Sequence, residues 1–388
     1  MTEMNPSRRG DAIPSFIVMD VMAAAARRER QGMPVFHLEV GQPSTAAPAL
    51  VREAAARALG QEVLGYTVAA GISPLRERIA EHYRHTEGIA VPAERIIVTT
   101  GSSGAFLLAF LAAFDPGARV AIAAPSYPCY RNILQSLGIE VVAIPCGADT
   151  HYQLTPQLLQ AAGPIDGVIV ASPSNPTGSI IDHAAMKALA DYCDGHGLWL
   201  VSDEIYHGLH YGAPAVSAAG FSDRTIVINS FSKYYSMTGW RIGWMVVPEA
   251  LARPVEKLAQ NYFISAPTLS QVAAIAAFDA TEELEGHRER YRCNRGIILD
   301  ALPAMGISRF APADGAFYVY AQVDHLTDDS LGFCTRLLDA TGVAITPGVD
   351  FDLVNGHGSV RLSYAADTDS IAQAMDLLDG WITRGHGG

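Results

Sequence analysis

At 388 residues the chain exceeds what one hydrophobic core usually serves, so two domains are expected. Its 49% hydrophobic and 17% charged residues can fill a large core and argue against disorder. A net charge of −13 with no basic patch argues against nucleic acid as a partner, and no apolar run reaches transmembrane length.

In chain order, the opening MTEMNPSRRGDAIPS lacks a charged-then-apolar leader pattern and reads as a loose arm to about Asp11. An alanine-rich helix is expected from Met19 to Arg30, then a short strand from Val35 to Val40 closing on Gly41-Gln-Pro43. Pro48 opens a helix that Gly60 stops, a loop carries Tyr66, and a further helix runs from Pro74 to about His85. From there apolar strands alternate with helices. The strands are expected at 96–100, 119–123, 140–144, 167–171, 198–202, 225–229 and 243–247. Gly101-Ser-Ser-Gly104 reads as a turn before a helix from Ala105 to Phe114, and another helix covers about His183 to Gly195. Such alternation describes an α/β fold, a mostly parallel sheet between helices, whose ligands bind beyond the carboxyl ends of the strands. Beyond Pro267 a long helical stretch leads to strands at 315–323, 343–346 and 359–363, read as a smaller α/β domain that also takes in the N-terminal segment. The expected partition is 1–44 as arm and part of the small domain, 45–290 as the large domain and 291–388 as the small C-terminal domain, with a frayed tail from Arg384. Cys129, Cys146, Cys193, Cys293 and Cys334 are scattered without CxxC spacing, which suits reduced thiols in the cytoplasm and offers no metal site.

Chemistry concentrates between Asn229 and Gly243. Lys187 and Lys257 sit in helix-like sequence, where a lysine normally lies on a solvated face. Lys233 follows a buried-strand pattern, with Ser230 and Ser232 before it and Arg241 after it. That setting suits a Schiff base to an aldehyde cofactor whose phosphate the hydroxyls and the arginine hold; a surface-loop lysine is the alternative. Gly101, Ser102 and Ser103 can present backbone N–H groups and a helix dipole to a phosphate, or form a plain turn. Asp203, ending a strand, can pair with a protonated pyridine nitrogen or cap a helix. Asn175 and Tyr206 can bond a phenolic oxygen, or serve as an Asx turn and a half-buried tyrosine; Tyr127 can stack on a planar ring or fill a core. Arg361, inside an apolar strand, needs an anion, either a substrate carboxylate or a structural partner.

Together these motifs resemble the pyridoxal-phosphate-dependent aminotransferases of fold type I, class I/II, in the branch containing bacterial aspartate, alanine and aromatic aminotransferases. The likeness runs from Gly41-Gln-Pro43 to Val360-Arg-Leu-Ser363 and rests most on SFSKYYSMTGWRIG, supported by SNPTG, SDEIY and GAFY. It implies pyridoxal 5'-phosphate as cofactor and a fold-type-I large domain with a seven-stranded-type sheet. It implies Lys233 as the Schiff-base lysine and a phosphate held by Ser102, Ser103, Ser230 and Arg241. Tyr127 would stack on the ring, Asn175 and Tyr206 contact its oxygen, and Asp203 pair with its nitrogen. Arg361 would bind the substrate α-carboxylate, with Asn175 and the Gly41 backbone. Tyr66 resembles the tyrosine that reaches the phosphate of the other subunit, implying a homodimer with shared sites.

The expected activity is a ping-pong transfer between an L-amino acid and a 2-oxo acid. A β-eliminating C–S lyase on the same fold is the alternative. A cofactor-binding regulator ranks last, since a DNA-binding domain has no room before Gly41. The uncharged helix after Gly104 and the apolar surroundings of Phe16, expected to line the pocket, favour a neutral or hydrophobic donor.

Overall fold

The computed structural model describes residues 7–386. The start of the expected arm and the end of the expected frayed tail lie outside them. The rest of the arm is a short helix, Arg8–Ala12, whose N-terminus Ser7 caps by accepting from the Gly10 N–H at 3.1 Å. Among the described residues no helix is long and apolar enough to cross a membrane.

The twelve strands among the described residues are β1 (Phe36–His37), β2 (Ile96–Thr99), β3 (Arg119–Ala124), β4 (Glu140–Pro145), β5 (Gly167–Ala171), β6 (Trp199–Asp203), β7 (Thr225–Ser230), β8 (Gly243–Val246), β9 (Tyr318–Gln322), β10 (Val343–Ala344), β11 (Thr346–Pro347) and β12 (Ser359–Ser363). Seven form one sheet in the order β2-β8-β7-β6-β5-β3-β4. Only β8 runs against its neighbours; the other pairs are parallel. Side chains alternate between its faces. Ile97, Val201 and Met245 join Phe106 and Phe110 in one core, while Val98, Leu200 and Trp244 join Leu75 and Leu189 in the other. The sheet is therefore buried on both sides, which is why its strands read as near-continuous apolar runs.

A second layer is built from the antiparallel sheet β11-β12-β9 and the parallel pair β1-β10, packed on a third core that includes Leu38, Tyr318, Leu362 and Trp381. Three expectations change here. The strand read at 35–40 shortens to Phe36–His37 because the following backbone serves side chains instead. The Glu39 carbonyl accepts from Arg361 and Thr346, and the Gly41 carbonyl from Lys233. The strand read at 343–346 splits at Ile345, its halves joining different sheets. Gly101-Ser-Ser-Gly104 is no separate turn but the first turn of the helix Gly101–Ala113.

Candidate active site

The carboxyl ends of β2, β3, β5, β6 and β7 open into one cavity of about 570 Å³. Its wall includes Phe16, Gly41, Ser102, Ser103, Tyr127, Asn175, Asp203, Tyr206, Ser232, Lys233, Arg241 and Arg361, residues expected at the site from the sequence. Three expected residues stand elsewhere. Gly101 lies behind Arg241. Ser230 is buried behind Ser232, its hydroxyl donating to Ser232 Oγ at 2.9 Å and to the Ile242 carbonyl at 3.3 Å. Tyr66 is 85% exposed on a loop outside this cavity.

Lys233 leaves the sheet just beyond β7, partly buried. Its ammonium donates to the Gly41 carbonyl at 2.6 Å and faces the rings of Tyr206 and Phe317 at 5.7 and 5.9 Å. Burial, then the positive charges of Arg361 and Arg241, push its pKa down to about 8, with Asp203 opposing. Gly41 approaches so closely that a Cβ there would lie 1.7 Å from the Tyr318 hydroxyl oxygen. The surface-loop reading of Lys233 does not hold.

Asp203 is fully enclosed at the end of β6. It accepts from the Tyr130 hydroxyl and, at 3.2 Å, from the Ile205 N–H. The next residues form turns and no helix, so it is no helix cap. Burial lifts its pKa to about 6 despite both bonds. The Tyr206 and Tyr318 hydroxyls meet at 2.6 Å. Tyr127 stands edge-on to Phe16 and Tyr130, with ring centroids 5.8 and 5.4 Å away.

Arg361 is 2% exposed and has no carboxylate partner among the described residues. It donates to Asn175 Oδ1 at 2.8 Å, to Thr346 Oγ1 at 3.2 Å and to the Glu39 carbonyl. Tyr318 and Phe351 lie against the guanidinium, 4.3 and 4.7 Å from its carbon to the ring centroids. A buried guanidinium held by neutral acceptors awaits an anion. Asn175 thus spends its oxygen on Arg361 rather than on an Asx turn.

Gly101 has φ +70°, and a Cβ there would come within 2.5 Å of an Arg241 guanidinium nitrogen. Arg241 therefore lies across the N-terminus of the helix Gly101–Ala113, which no side chain caps. Uncapped N–H groups, the Ser102 and Ser103 hydroxyls and a cation make an anion cradle. The cavity thus offers an anion cradle, an amine depressed in pKa, a buried carboxylate and a second anion-seeking cation. That donor set fits pyridoxal phosphate with an amino acid beside it.

Tyr130, Tyr318, Thr346 and Phe351 were not anticipated. Tyr318 carries a signal, standing in the GAFY run; the others touch the site through packing between segments far apart in sequence.

A family model described as aminotransferase class I and II matches residues 34–378. The chain is 51% identical over 387 residues to the valine–pyruvate aminotransferase of Mycobacterium tuberculosis, covering 98% of this chain and 99% of that one. The crystal structure of an aminotransferase from Mycobacterium tuberculosis superposes with a TM-score of 0.96 at 51% identity, covering 98% of this chain and all (100%) of that one. Aspartate aminotransferase from Thermus thermophilus with maleate superposes at 0.92 with 32% identity, over 97% of this chain and 100% of the other.

Proposed function

The chain belongs to the class I and II aminotransferases, and we propose that its amino donor is a neutral L-amino acid with an apolar, branched side chain. It is a pyridoxal-phosphate-dependent aminotransferase acting on an amino acid and a 2-oxo acid; relatives that are aminotransferases do not favour the eliminating alternative.

The observation that carries the donor reading is the apolar part of the cavity wall. Phe16, Val18, Met19 and Val40 line the same cavity as Arg361, and the cations on it are Lys233, Arg241 and Arg361, each with a task of its own. Arg131 does not reach the cavity wall; its Nη2 faces the Asp350 carbonyl at 3.4 Å. A side-chain carboxylate would find no partner there and would lose its hydration. The valine–pyruvate activity named for the 51% identical relative supports the same class.

The residue roles are part of the proposal. Pyridoxal phosphate, when bound, supplies an aldehyde that takes up the amino group and a ring that spreads the electron pair left at Cα. The Gly101–Ser103 turn and Arg241 hold its phosphate, with Ser230 fixing Ser232 from behind. Asp203 keeps a proton on the ring nitrogen. Asn175 and Tyr206 serve the ring oxygen, and Tyr127 the ring face. Arg361 takes the donor's α-carboxylate as a fork. Lys233 Nζ would hold the aldehyde carbon and, as the free amine, would move the donor's Cα proton. A lysine depressed to about 8 is partly free amine near neutrality and can accept that proton.

The working unit in this reading is a cytoplasmic homodimer. Leu59, Val63, Tyr66, Val68, Tyr262 and Ile264 are exposed apolar side chains that a second copy would cover. An open cavity of about 700 Å³ beside Arg241 is where the Tyr66 loop of that copy would enter. The free cysteines suit a reducing compartment. Residues 45–290, around the large sheet, form the cofactor domain; 1–44 and 291–388 supply the smaller one.

The test is the absorbance of cofactor-loaded enzyme against single amino acids. Valine alone should bleach the aldehyde-form band stoichiometrically, and a 2-oxo acid should restore it. Bleaching by aspartate but not valine would refute the donor class.

A further inference from the structure

The side-chain wall and the carboxylate-binding arginine are fastened to the same turn. Strand β11 runs into a single 3-10 turn, Gly348–Asp350, and then Phe351. Two residues of this segment serve Arg361: Thr346 accepts its hydrogen bond and Phe351 packs on its guanidinium. Asp350, between them, serves another element. Its Oδ1 and Oδ2 accept the backbone N–H groups of Ile17 at 3.3 Å and Val18 at 3.2 Å.

Those N–H groups open the helix Ile17–Arg30. Helix N-termini leave such donors without partners, and the preceding side chain usually supplies the acceptor. Here that residue is Phe16, whose side chain has no oxygen to offer. The cap comes instead from a carboxylate 332 positions from Val18 in the chain. Asp350 is buried, and the charged groups that face it are Arg131 and Arg361. The helix turn it holds carries Phe16, Val18 and Met19 on the cavity.

We propose that Asp350 is a specificity-determining positioning residue, which caps the helix Ile17–Arg30 from across the fold and so fixes the distance from Arg361 to the apolar wall. The donor's α-carboxylate and its side chain are thereby gauged from one short turn. Loss of the cap lets the wall shift while Arg361 keeps Asn175, Glu39 and Thr346. This inference rests on the reading that the wall receives the donor's side chain.

The test uses cofactor-loaded Asp350→Ala and Asp350→Asn, with Val18→Ala shortening the wall directly. Two quantities are read: kcat/KM across alanine, 2-aminobutyrate, valine and leucine, and hydrogen exchange at the Ile17 and Val18 amides. In Asp350→Ala, kcat/KM for the wild type's best donor should fall about tenfold more than for alanine, mostly through KM. Exchange at both amides should rise, with Asp350→Asn intermediate because it keeps one acceptor oxygen. Val18→Ala should lower the same ratio without raising exchange at Ile17. An equal loss for every donor, or unchanged exchange at the two amides, overturns the proposal. If Asp350→Ala does not fold, Asp350→Asn decides by the same two readings. A wild type that prefers a dicarboxylic donor refutes the donor class before any variant is compared. The ratio of that donor to alanine, with the exchange, still judges Asp350.

Discussion

The Lys233 ammonium donates to the Gly41 carbonyl at 2.6 Å with no carboxylate paired to it among the described residues, and burial with two arginines holds its pKa near 8. Only the free amine attacks an aldehyde. Capture of pyridoxal phosphate by cofactor-free protein should therefore quicken as pH rises, with a midpoint about 8 instead of the usual 10.5. Borohydride should then fix the adduct on Lys233, and Lys233→Ala should yield none. An adduct on Lys187, which pairs with Asp191 on an exposed face, or on Lys257, would refute the assignment.

Asp203 predicts a conflict between stability and function. Its folded-state pKa of about 6 stands above the ordinary 3.8, so between those values the folded protein binds more protons than the unfolded chain. The stability this group supports is present below about pH 4 and lost as pH rises through 6. Above 6 the cofactor-free protein carries a buried carboxylate at a cost of about 3 kcal/mol. Asp203→Asn should then raise the thermal midpoint of cofactor-free protein at pH 7.5 and change it little at pH 4. In loaded enzyme the same variant should slow the half-reaction at least a hundredfold, because the ring nitrogen loses its counter-charge. A lowered midpoint at pH 7.5 would show that the carboxylate is needed for folding instead.

The contrast between Asp203 and Asp350 shows what is legible in a sequence. Asp203 ends an apolar strand, so its position beyond the sheet follows from strand order alone, as do those of Lys233 and Asn175. Asp350 caps a helix whose start lies more than three hundred positions upstream. No local pattern links the two. Tyr130 falls in the same class: it sits on the helix Pro128–Ser136, yet its hydroxyl reaches Asp203 across a chain separation of 73. The seven-stranded sheet was readable because burial on both faces makes its strands continuous apolar runs. The two-residue strands β1, β10 and β11 were blurred because they are too short to show a period.

The proposed sharing of sites between subunits predicts complementation. Tyr66→Ala and Lys233→Ala should each be nearly inactive as pure oligomers. If Tyr66 acts in the partner's site, one site of a hybrid dimer contains both native residues. Mixed and refolded subunits should recover up to about a quarter of wild-type activity, the statistical yield when half the dimers are hybrid and each has one working site. Hybrids confirmed by mass but still inactive would place Tyr66 outside the partner's site.

Arg361 predicts a separation of substrate affinity from cofactor affinity. Its fork is held by Asn175, Thr346 and Glu39, and aromatic rings lie against it, so the guanidinium is oriented before any substrate arrives. A lysine ammonium at the same place is a point charge on a flexible stem and cannot copy that geometry. Arg361→Lys should weaken binding of isovalerate, a carboxylate with valine's branched side chain and no amino group, at least tenfold. Arg361→Ala should weaken it further. Cofactor affinity should change less than threefold in both, because the proposed phosphate cradle around Gly101 and Arg241 shares none of Arg361's partners. Isovalerate binding followed by the absorbance of loaded enzyme, and cofactor release followed by dialysis, measure the two quantities independently. Equal losses in both would mean that Arg361 holds the site together instead of reading the α-carboxylate.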